Sequence, residues 1–249
     1  MIRPDWPAPA SVQAATTTRC EGISAGSWAS LNLADHVGDE AQAVQENRNI
    51  LYRMLGLPAE PEWMRQVHGN RVVEVRAGEK HAGSGSQIKP QEADASVARA
   101  PDRVSVVLTA DCLPALFCDL AGRCVASAHA GWRGLASGVL EATVQAMRVD
   151  PGELLVWLGP AIGPQAFEVG DEVRAVFVEQ HPQAAEAFVP GPRQRLLADL
   201  YQLARIRLSA IGVQAVYGGD RCTFSEADTF YSYRRDGTTG RMASLIWLR

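Results

Sequence analysis

Three side chains that bind metals well in proteins stand beside turn-forming residues in this sequence: His68, Cys112 and His129. A cysteine combined with histidines is a ligand set that zinc favours. Three protein ligands leave one coordination position open, which is typical of catalytic rather than structural zinc sites. The three residues lie far apart in the chain, and no short motif of the H-E-x-x-H or C-x-x-C type contains them. Their types therefore predict a metal site only if the fold brings them together.

Two other interpretations of these residues stay open. Cys112 is a candidate nucleophile that His129 or His68 activates as a base, without a metal. Alternatively, the three residues have no common role. A hydrogen-bonded histidine in the core, an inert buried thiol and a solvated imidazole on the surface are each frequent in proteins.

Positions at strand ends favour a common site. Apolar runs rich in β-branched residues predict short buried strands over residues 103–108, 115–118 and 124–128. Cys112 follows the first of these strands, and His129 follows the third, which a glycine-containing hairpin turn joins to the second. Residues 62–67 and 71–76 predict two further strands, with a hairpin turn between them that contains His68. Functional side chains commonly lie in such turns.

The remaining periodicities predict a single α+β catalytic domain over residues 1–249. Helical spacing of apolar residues predicts helices over residues 40–55, 135–147, 168–180 and 196–211, the last being the longest. β-prone runs predict further strands over residues 10–18, 154–158, 213–217 and 242–248. Glycine and serine predict a mobile loop over residues 77–91. No internal repeat and no long linker divides the chain.

The composition argues against some classes of partner. Hydrophobic residues make up 47% of the chain and charged residues 21%, and the net charge is −4 with a pI near 5.8. Nucleic-acid and anionic-membrane binding need a basic field, so neither is expected. The first residues lack the apolar stretch of a signal peptide, and no run approaches the ~20 apolar residues of a membrane span. We expect a cytoplasmic protein with reduced cysteines.

Several segments resemble one known family. In chain order they are RQVHGNRV, TADCLPALFCD, AHAGWRG, LGPAIG and FYSYRRDGTTGRMASLIWL, and they are similar to motifs of the laccase-domain family. This family was named for polyphenol oxidase and is now associated with purine nucleoside phosphorylase activity. The resemblance covers nearly the whole chain and implies a four-layer α-β-β-α sandwich with mixed sheets. It also implies a zinc ion bound by His68, Cys112 and His129.

The resemblance further implies phosphorolysis of adenosine, inosine, guanosine and methylthioadenosine, together with deamination of adenosine. Deamination needs a zinc-activated water and a group that moves protons, and Asp111, beside the catalytic candidate Cys112, is the candidate for that transfer. A structural role of Asp111 is the alternative. Phosphorolysis needs cations that hold the phosphate dianion. The candidates, each with a structural or surface ion pair as its alternative, are Arg48, Arg133, Arg234, Arg235 and Arg241, and Arg133 is favoured because it follows His129 closely.

Three other functions are compatible with the same residues. Copper also binds cysteine and histidine, so oxidation of phenols is one, although five histidines provide few ligands for the several coppers of a four-electron oxidase. Zinc-activated water also cleaves amides, as in the editing of peptidoglycan precursors attributed to some relatives. A binding protein with a closed, structural metal site is the third. The sequence indicates no oligomeric state.

Overall fold

The structure is a computed structural model that describes residues 1–75 and 90–249, so the loop predicted over residues 77–91 falls almost entirely outside the described part. The strands are β1 (Val12–Thr16), β2 (Val72–Glu74), β3 (Ala95–Ala98), β4 (Val104–Thr109), β5 (Leu113–Asp119), β6 (Val125–Ala130), β7 (Leu154–Leu158), β8 (Glu168–Val169), β9 (Phe188–Pro190), β10 (Leu196–Ala198), β11 (Ala215–Gly218) and β12 (Met242–Leu248). The α-helices are α1 (Ala41–Leu55), α2 (Trp132–Ala136), α3 (Val139–Met147), α4 (Asp171–Gln180), α5 (Leu200–Ala210) and α6 (Tyr233–Asp236). None of these helices combines the length and the apolar character needed to cross a bilayer.

Two stacked β-sheets form the centre of the fold. One has antiparallel strands in the order β1-β12-β4. The other has the order β11-β7-β5-β6-β3-β2 and is mixed, because the pairs β11–β7 and β2–β3 are parallel while the other pairs are antiparallel. Strands β8, β10 and β9 form a small third sheet. The arrangement is α+β with mixed sheets, as the sequence predicts.

Side chains alternate between the two faces of each strand, and this alternation divides the core into three packed interfaces. Between the two large sheets, Leu116 and Val125 pack in one cluster with Val12 and Ile246. On its other face the six-stranded sheet packs against α2, α3, α4 and α5 through side chains such as Phe117. The other face of the three-stranded sheet packs against α1. The predicted α-β-β-α layering is therefore confirmed.

The hairpin predicted between β5 and β6 is also confirmed, and local chemistry explains it. Gly122 adopts φ 65°, a conformation that glycine reaches without strain. The carboxylate of Asp119 accepts hydrogen bonds from the backbone N–H groups of Arg123 and Cys124 at 2.7 and 2.8 Å. The turn is thus fixed by its own residues, which is why a local pattern predicts it. All cysteines of the chain are free thiols, as expected.

The hairpin predicted around His68 is wrong. Residues 62–67 form no strand beyond a single bridge between Arg65 and Glu92, and β2 pairs in parallel with β3. The backbone N–H groups of residues 67–69 donate to the side chain of Asp94 instead of to a facing strand. A buried carboxylate takes the place of the strand partner that the sequence pattern predicts.

Three helix predictions also need correction. The helix predicted over residues 168–180 begins at Asp171, because Glu168 and Val169 form β8, which pairs with β10. The helix predicted over residues 135–147 is divided into α2 and α3, because Gly138 adopts φ 86° between them. The helix predicted from residue 196 begins at Leu200, where the side chain of Asp199 caps the first N–H groups. It has 11 residues and is shorter than α1, which has 15.

We expect the interface between the two large sheets to carry much of the stability. Leu116 is fully buried there, so Leu116→Ala should lower the free energy of unfolding by about 2–5 kcal/mol. Leu120 lies just beyond the same strand and is 55% exposed. Leu120→Ala should therefore change the free energy of unfolding by less than about 0.5 kcal/mol. Urea unfolding of both variants measures the difference. Equal losses would show that this interface is not a tightly packed core.

Candidate metal centre

The side chains of His68, Cys112 and His129 meet at one end of the six-stranded sheet. Their ligand atoms all lie within 4.8 Å of one another. The Sγ atom of Cys112 is 3.9 Å from Nε2 of His68. The two imidazole rings stand edge to face, with centroids 4.8 Å apart and planes inclined by 75°. His129 is buried and His68 is exposed, so the group is open on one side.

Each of the three residues comes from a different segment of backbone. Cys112 lies in the turn between β4 and β5, and His129 lies in β6 opposite Pro114 of β5. His68 lies in the turn before β2. Two of these turns are held in an uncommon conformation, because His68 has φ 61° and Asp111 has φ 90°. Non-glycine residues with positive φ persist only where surrounding contacts hold them, and they are frequent at functional sites.

A carboxylate that the sequence did not point to connects the two histidines of this group. Asp94 has no exposed surface, and its Oδ1 atom accepts a hydrogen bond of 2.8 Å from Nδ1 of His129. The two carboxylate oxygens also accept the backbone N–H groups of residues 67–69 at 2.8 to 3.2 Å. Burial alone would raise the pKa of Asp94, but these hydrogen bonds keep the pKa below its ordinary value. The sequence signal was an acidic residue inside a run of small buried residues.

The thiol and the buried imidazole stabilise each other's charged forms. Burial raises the pKa of Cys112, but the charge of His129 and the hydrogen bonds from both histidines lower it to about 6. Burial lowers the pKa of His129, but Cys112 and Asp94 raise it to about 9. The two histidines therefore keep the pKa of Cys112 below that of an ordinary thiol and favour its thiolate form. The thiolate is the form of cysteine that binds metals.

Two glycines allow the ligand-bearing segments to approach one another. A Cβ atom on Gly131 would lie 2.9 Å from Sγ of Cys112 and 3.0 Å from Cδ2 of His68. A Cβ atom on Gly134 would lie 2.8 Å from the carbonyl oxygen of Gly69, in the turn that carries His68. Such contacts are too short for a real side chain, so the glycines of the AHAGWRG segment are required by the close approach.

Asp111 ties the turn of Cys112 to the C-terminal part of the chain. Its Oδ1 atom accepts a hydrogen bond of 2.6 Å from the hydroxyl of Thr223, and its Oδ2 atom accepts one of 2.7 Å from the backbone N–H of Arg234. Its carbonyl oxygen accepts from the N–H of Ile162 at 2.9 Å. Asp111 therefore has a structural role, because its hydrogen bonds fix the turn that carries Cys112.

Two of the candidate arginines lie close to this turn. Burial lowers the pKa of Arg241, while the negative charges of Cys112 and Asp111 raise it, so the guanidinium lies within their electrostatic reach. Its Nη1 atom donates to two carbonyl groups just before it at 2.8 and 2.9 Å. The backbone of Arg234 contacts Asp111, and its guanidinium donates to the carbonyl of Glu168 at 3.0 Å.

The other candidate arginines have different surroundings. Arg235 donates to the carbonyl groups of three residues between 223 and 230. Arg133 is exposed on α2 and stacks on the neighbouring tryptophan ring at 4.5 Å. Arg48 donates two hydrogen bonds to the carbonyl of Leu33, stacks on Trp63 at 4.2 Å and lines a cavity of about 300 Å³. A wall of that cavity includes Gln66, which lies close to His68 in the chain.

Comparisons with known proteins point to one family. The family model described as multi-copper polyphenol oxidoreductase laccase matches residues 13–249. A curated purine nucleoside phosphorylase of Pseudomonas aeruginosa is 55% identical, with 100% of this chain and 98% of that protein covered. Another, of Escherichia coli, is 51% identical with the same shares covered. A crystal structure of a Neisseria meningitidis protein superposes with a TM-score of 0.91 at 51% identity, over 99% of this chain and 98% of that one.

The close approach at Gly131 gives a direct test of the ligand geometry. Gly131→Ala should push Sγ of Cys112 or the ring of His68 out of place and weaken metal binding on the order of tenfold or more. Gly69→Ala is the matched control, because a Cβ atom there meets nothing closer than 3.5 Å. Competition with a chromophoric chelator measures the affinity of both variants. Unchanged affinity in Gly131→Ala would mean that these side chains do not hold the metal together.

Proposed function

This chain belongs to the multi-copper polyphenol oxidoreductase laccase family, and from that premise we propose that it is a zinc-dependent purine nucleoside phosphorylase formed as a single catalytic domain. The observation that carries the proposal is the convergence of His68, Cys112 and His129 in a chain whose curated relatives are named purine nucleoside phosphorylases. The proposed substrates are phosphate and adenosine, inosine, guanosine or methylthioadenosine.

The donor set fits zinc. A thiolate and two imidazoles are ligands that zinc favours, and three of them leave a position on the exposed side of His68. Nδ1 of His129 donates a hydrogen bond to Asp94, so Nε2 is the ring nitrogen that remains for a metal. A bound zinc ion would supply Lewis-acid polarisation of a substrate or water oxygen at this position. The residues of the chain hold that position, and the two histidines lower the pKa of Cys112, which favours its metal-binding form.

Phosphate needs fixed positive charge beside the metal centre. In phosphorolysis a phosphate oxygen bonds to C1′ of the ribose while the bond from C1′ to the purine nitrogen breaks, and the purine leaves with a proton. The proposed candidates to orient phosphate are Arg234, whose backbone N–H donates to Asp111 beside Cys112, the half-buried Arg241 and the exposed Arg133. Arg235 donates mainly to backbone carbonyls, and Arg48 lines its own cavity.

Deamination of adenosine is the second proposed activity at the same site. It needs a group that takes a proton from the attacking water and gives one to the leaving amine. Asp111 is the carboxylate adjacent to Cys112, and its two hydrogen-bond donors, Thr223 and Arg234, hold it in place. Both oxygens of Asp111 accept these hydrogen bonds, so its orientation beside Cys112 is fixed.

The description of the family model favours one alternative, oxidation of phenols by copper. Cysteine and histidine also suit copper. Reduction of oxygen to water takes four electrons, however, and residues 1–75 and 90–249 hold a single group of three such ligands, at His68, Cys112 and His129. One copper ion there does not supply four electrons, so we favour group transfer over oxidation.

An assay of products decides among these activities. Zinc-loaded protein incubated with adenosine and phosphate should release adenine and ribose 1-phosphate, with inosine as the product of deamination. Cys112→Ala should lose both reactions, and Cys20→Ala, which removes an exposed thiol, should keep them. Copper-loaded protein with a phenol and oxygen is the parallel incubation. Full phosphorolysis in Cys112→Ala, or none in the zinc-loaded protein, would contradict the proposal.

The part of Asp111 in deamination has its own test. Asparagine can keep both contacts, since the amide oxygen accepts the N–H of Arg234 and the hydroxyl of Thr223 can turn to accept from the amide. Asp111→Asn should therefore bind zinc normally and lose deamination by about 10²–10⁴-fold, with phosphorolysis less affected. Thr223→Val, which keeps the carboxylate, is the control and should retain most of the deamination rate. Normal deamination in Asp111→Asn would remove Asp111 from the mechanism.

A further inference from the structure

One buried carboxylate serves both histidines of the candidate metal centre. Oδ1 of Asp94 accepts hydrogen bonds from Nδ1 of His129 at 2.8 Å and from the backbone N–H of His68 at 2.9 Å. Its Oδ2 accepts from the backbone N–H groups of Gly69 at 2.8 Å and Val67 at 3.2 Å. Asp94 has no exposed surface, so water does not replace a donor that is lost.

We propose that Asp94 is the positioning residue for both histidines: its carboxylate selects the ring nitrogen that His129 presents and holds the turn that presents His68. The inference rests on the proposed metal centre, but it concerns metal binding and does not depend on which reaction the centre performs.

The contact with His129 acts through the choice of tautomer. A neutral imidazole carries one proton, and a carboxylate that accepts from Nδ1 keeps the proton there. When a metal displaces the proton from Nε2, that nitrogen offers a free lone pair while Nδ1 keeps its proton, which is the form of the ring that binds a metal. The backbone of His129 is held by the same residue, because its N–H donates to the carbonyl oxygen of Asp94 at 2.7 Å. Both the position and the protonation of this ring therefore depend on Asp94.

The contacts with residues 67–69 act through the backbone. His68 adopts φ 61°, which a non-glycine residue keeps only where contacts offset the strain. Three successive N–H groups in this turn have the carboxylate of Asp94 as their acceptor. The hydrogen bonds thus hold the direction in which the exposed imidazole leaves the turn.

Replacement of Asp94 by asparagine removes one of these functions whichever way the amide turns. If the NH₂ group faces His129 and His68, Nδ1 of His129 must accept, the proton moves to Nε2, and the metal-binding nitrogen is blocked. If the NH₂ group faces Val67 and Gly69, donor meets donor, and two of the three N–H groups in the turn of His68 lose their acceptor. Asp94→Asn should therefore weaken zinc binding by about 10–100-fold, the usual effect of losing such a partner.

A matched control lies at the other end of β5. Asp119 is also buried, and its carboxylate also accepts two backbone N–H groups of a tight turn, from Arg123 and Cys124. It lies at the end of β5, whereas Cys112 precedes the start of that strand. Asp119→Asn removes the same kind of charge from a turn without a candidate ligand. Both variants should lose stability, and only Asp94→Asn should lose metal affinity.

The experiment compares zinc affinity, by chelator competition, and the visible absorption of the cobalt-substituted protein in the wild type and both variants. The expected result is about 10–100-fold weaker zinc binding and an altered cobalt spectrum in Asp94→Asn, with wild-type values in Asp119→Asn. Equal affinities in the two variants would overturn the proposal. If zinc affinity falls as expected while the wild type performs no phosphorolysis, the proposed function fails and the role of Asp94 stands.

A measurement on the wild type keeps the test decisive should Asp94→Asn fail to fold. Long-range ¹H–¹⁵N NMR of the zinc-loaded protein, labelled at histidine, distinguishes the two ring nitrogens of His129. We expect a proton on Nδ1, shifted downfield by the hydrogen bond to Asp94, and coordination through Nε2. Coordination through Nδ1, or an Nδ1 proton in rapid exchange with solvent, would overturn the proposal.

Discussion

The negative charge of Asp94 is the constraint on which the candidate site depends. A carboxylate without exposed surface is costly in free energy unless hydrogen-bond donors surround it. Here the donors come from the ring of His129 in β6 and from the backbone of residues 67–69, while Asp94 itself directly precedes β3. The hydrogen bonds that stabilise this one carboxylate therefore bring two distant segments of the chain together, and each segment carries a histidine. The arrangement of the two histidines follows from the hydrogen bonds that one buried carboxylate accepts.

The two packed sheets provide the rigid support for this arrangement. Both faces of the six-stranded sheet are covered, by the three-stranded sheet on one side and by helices on the other. Hydroxyl groups also connect the sheets. Oγ of Ser105 in β4 lies 2.7 Å from Oγ of Ser96 in β3 and 2.7 Å from Oγ of Ser127 in β6. His129 belongs to β6, and Cys112 lies in the turn that joins the two sheets. Ligands at the ends of well-packed strands keep their geometry better than ligands on long loops.

Local patterns predicted the elements that local interactions determine. The buried strands and the hairpin between β5 and β6 were predicted because apolar β-branched runs and turn residues are local features of the sequence. The hairpin around His68 was predicted wrongly, because Asp94, which accepts the N–H groups of this turn, is distant in sequence and no local pattern indicates such a contact. The positive φ of Gly138 divided a helix that periodicity alone made continuous. His68, Cys112 and His129 became candidate ligands because their side chains bind metals. Their spacing did not predict one common site, and that expectation came from the family resemblance.

The central claim is that two histidine nitrogens and one cysteine sulfur bind one metal ion. X-ray absorption at the zinc edge, on protein loaded with one equivalent of zinc, tests it directly. The account predicts one sulfur at about 2.3 Å and nitrogen neighbours, including two imidazoles, at roughly 2.0–2.1 Å. The sulfur contribution should disappear in Cys112→Ala. A spectrum with only oxygen and nitrogen neighbours in the wild type, or with sulfur retained in Cys112→Ala, would contradict it.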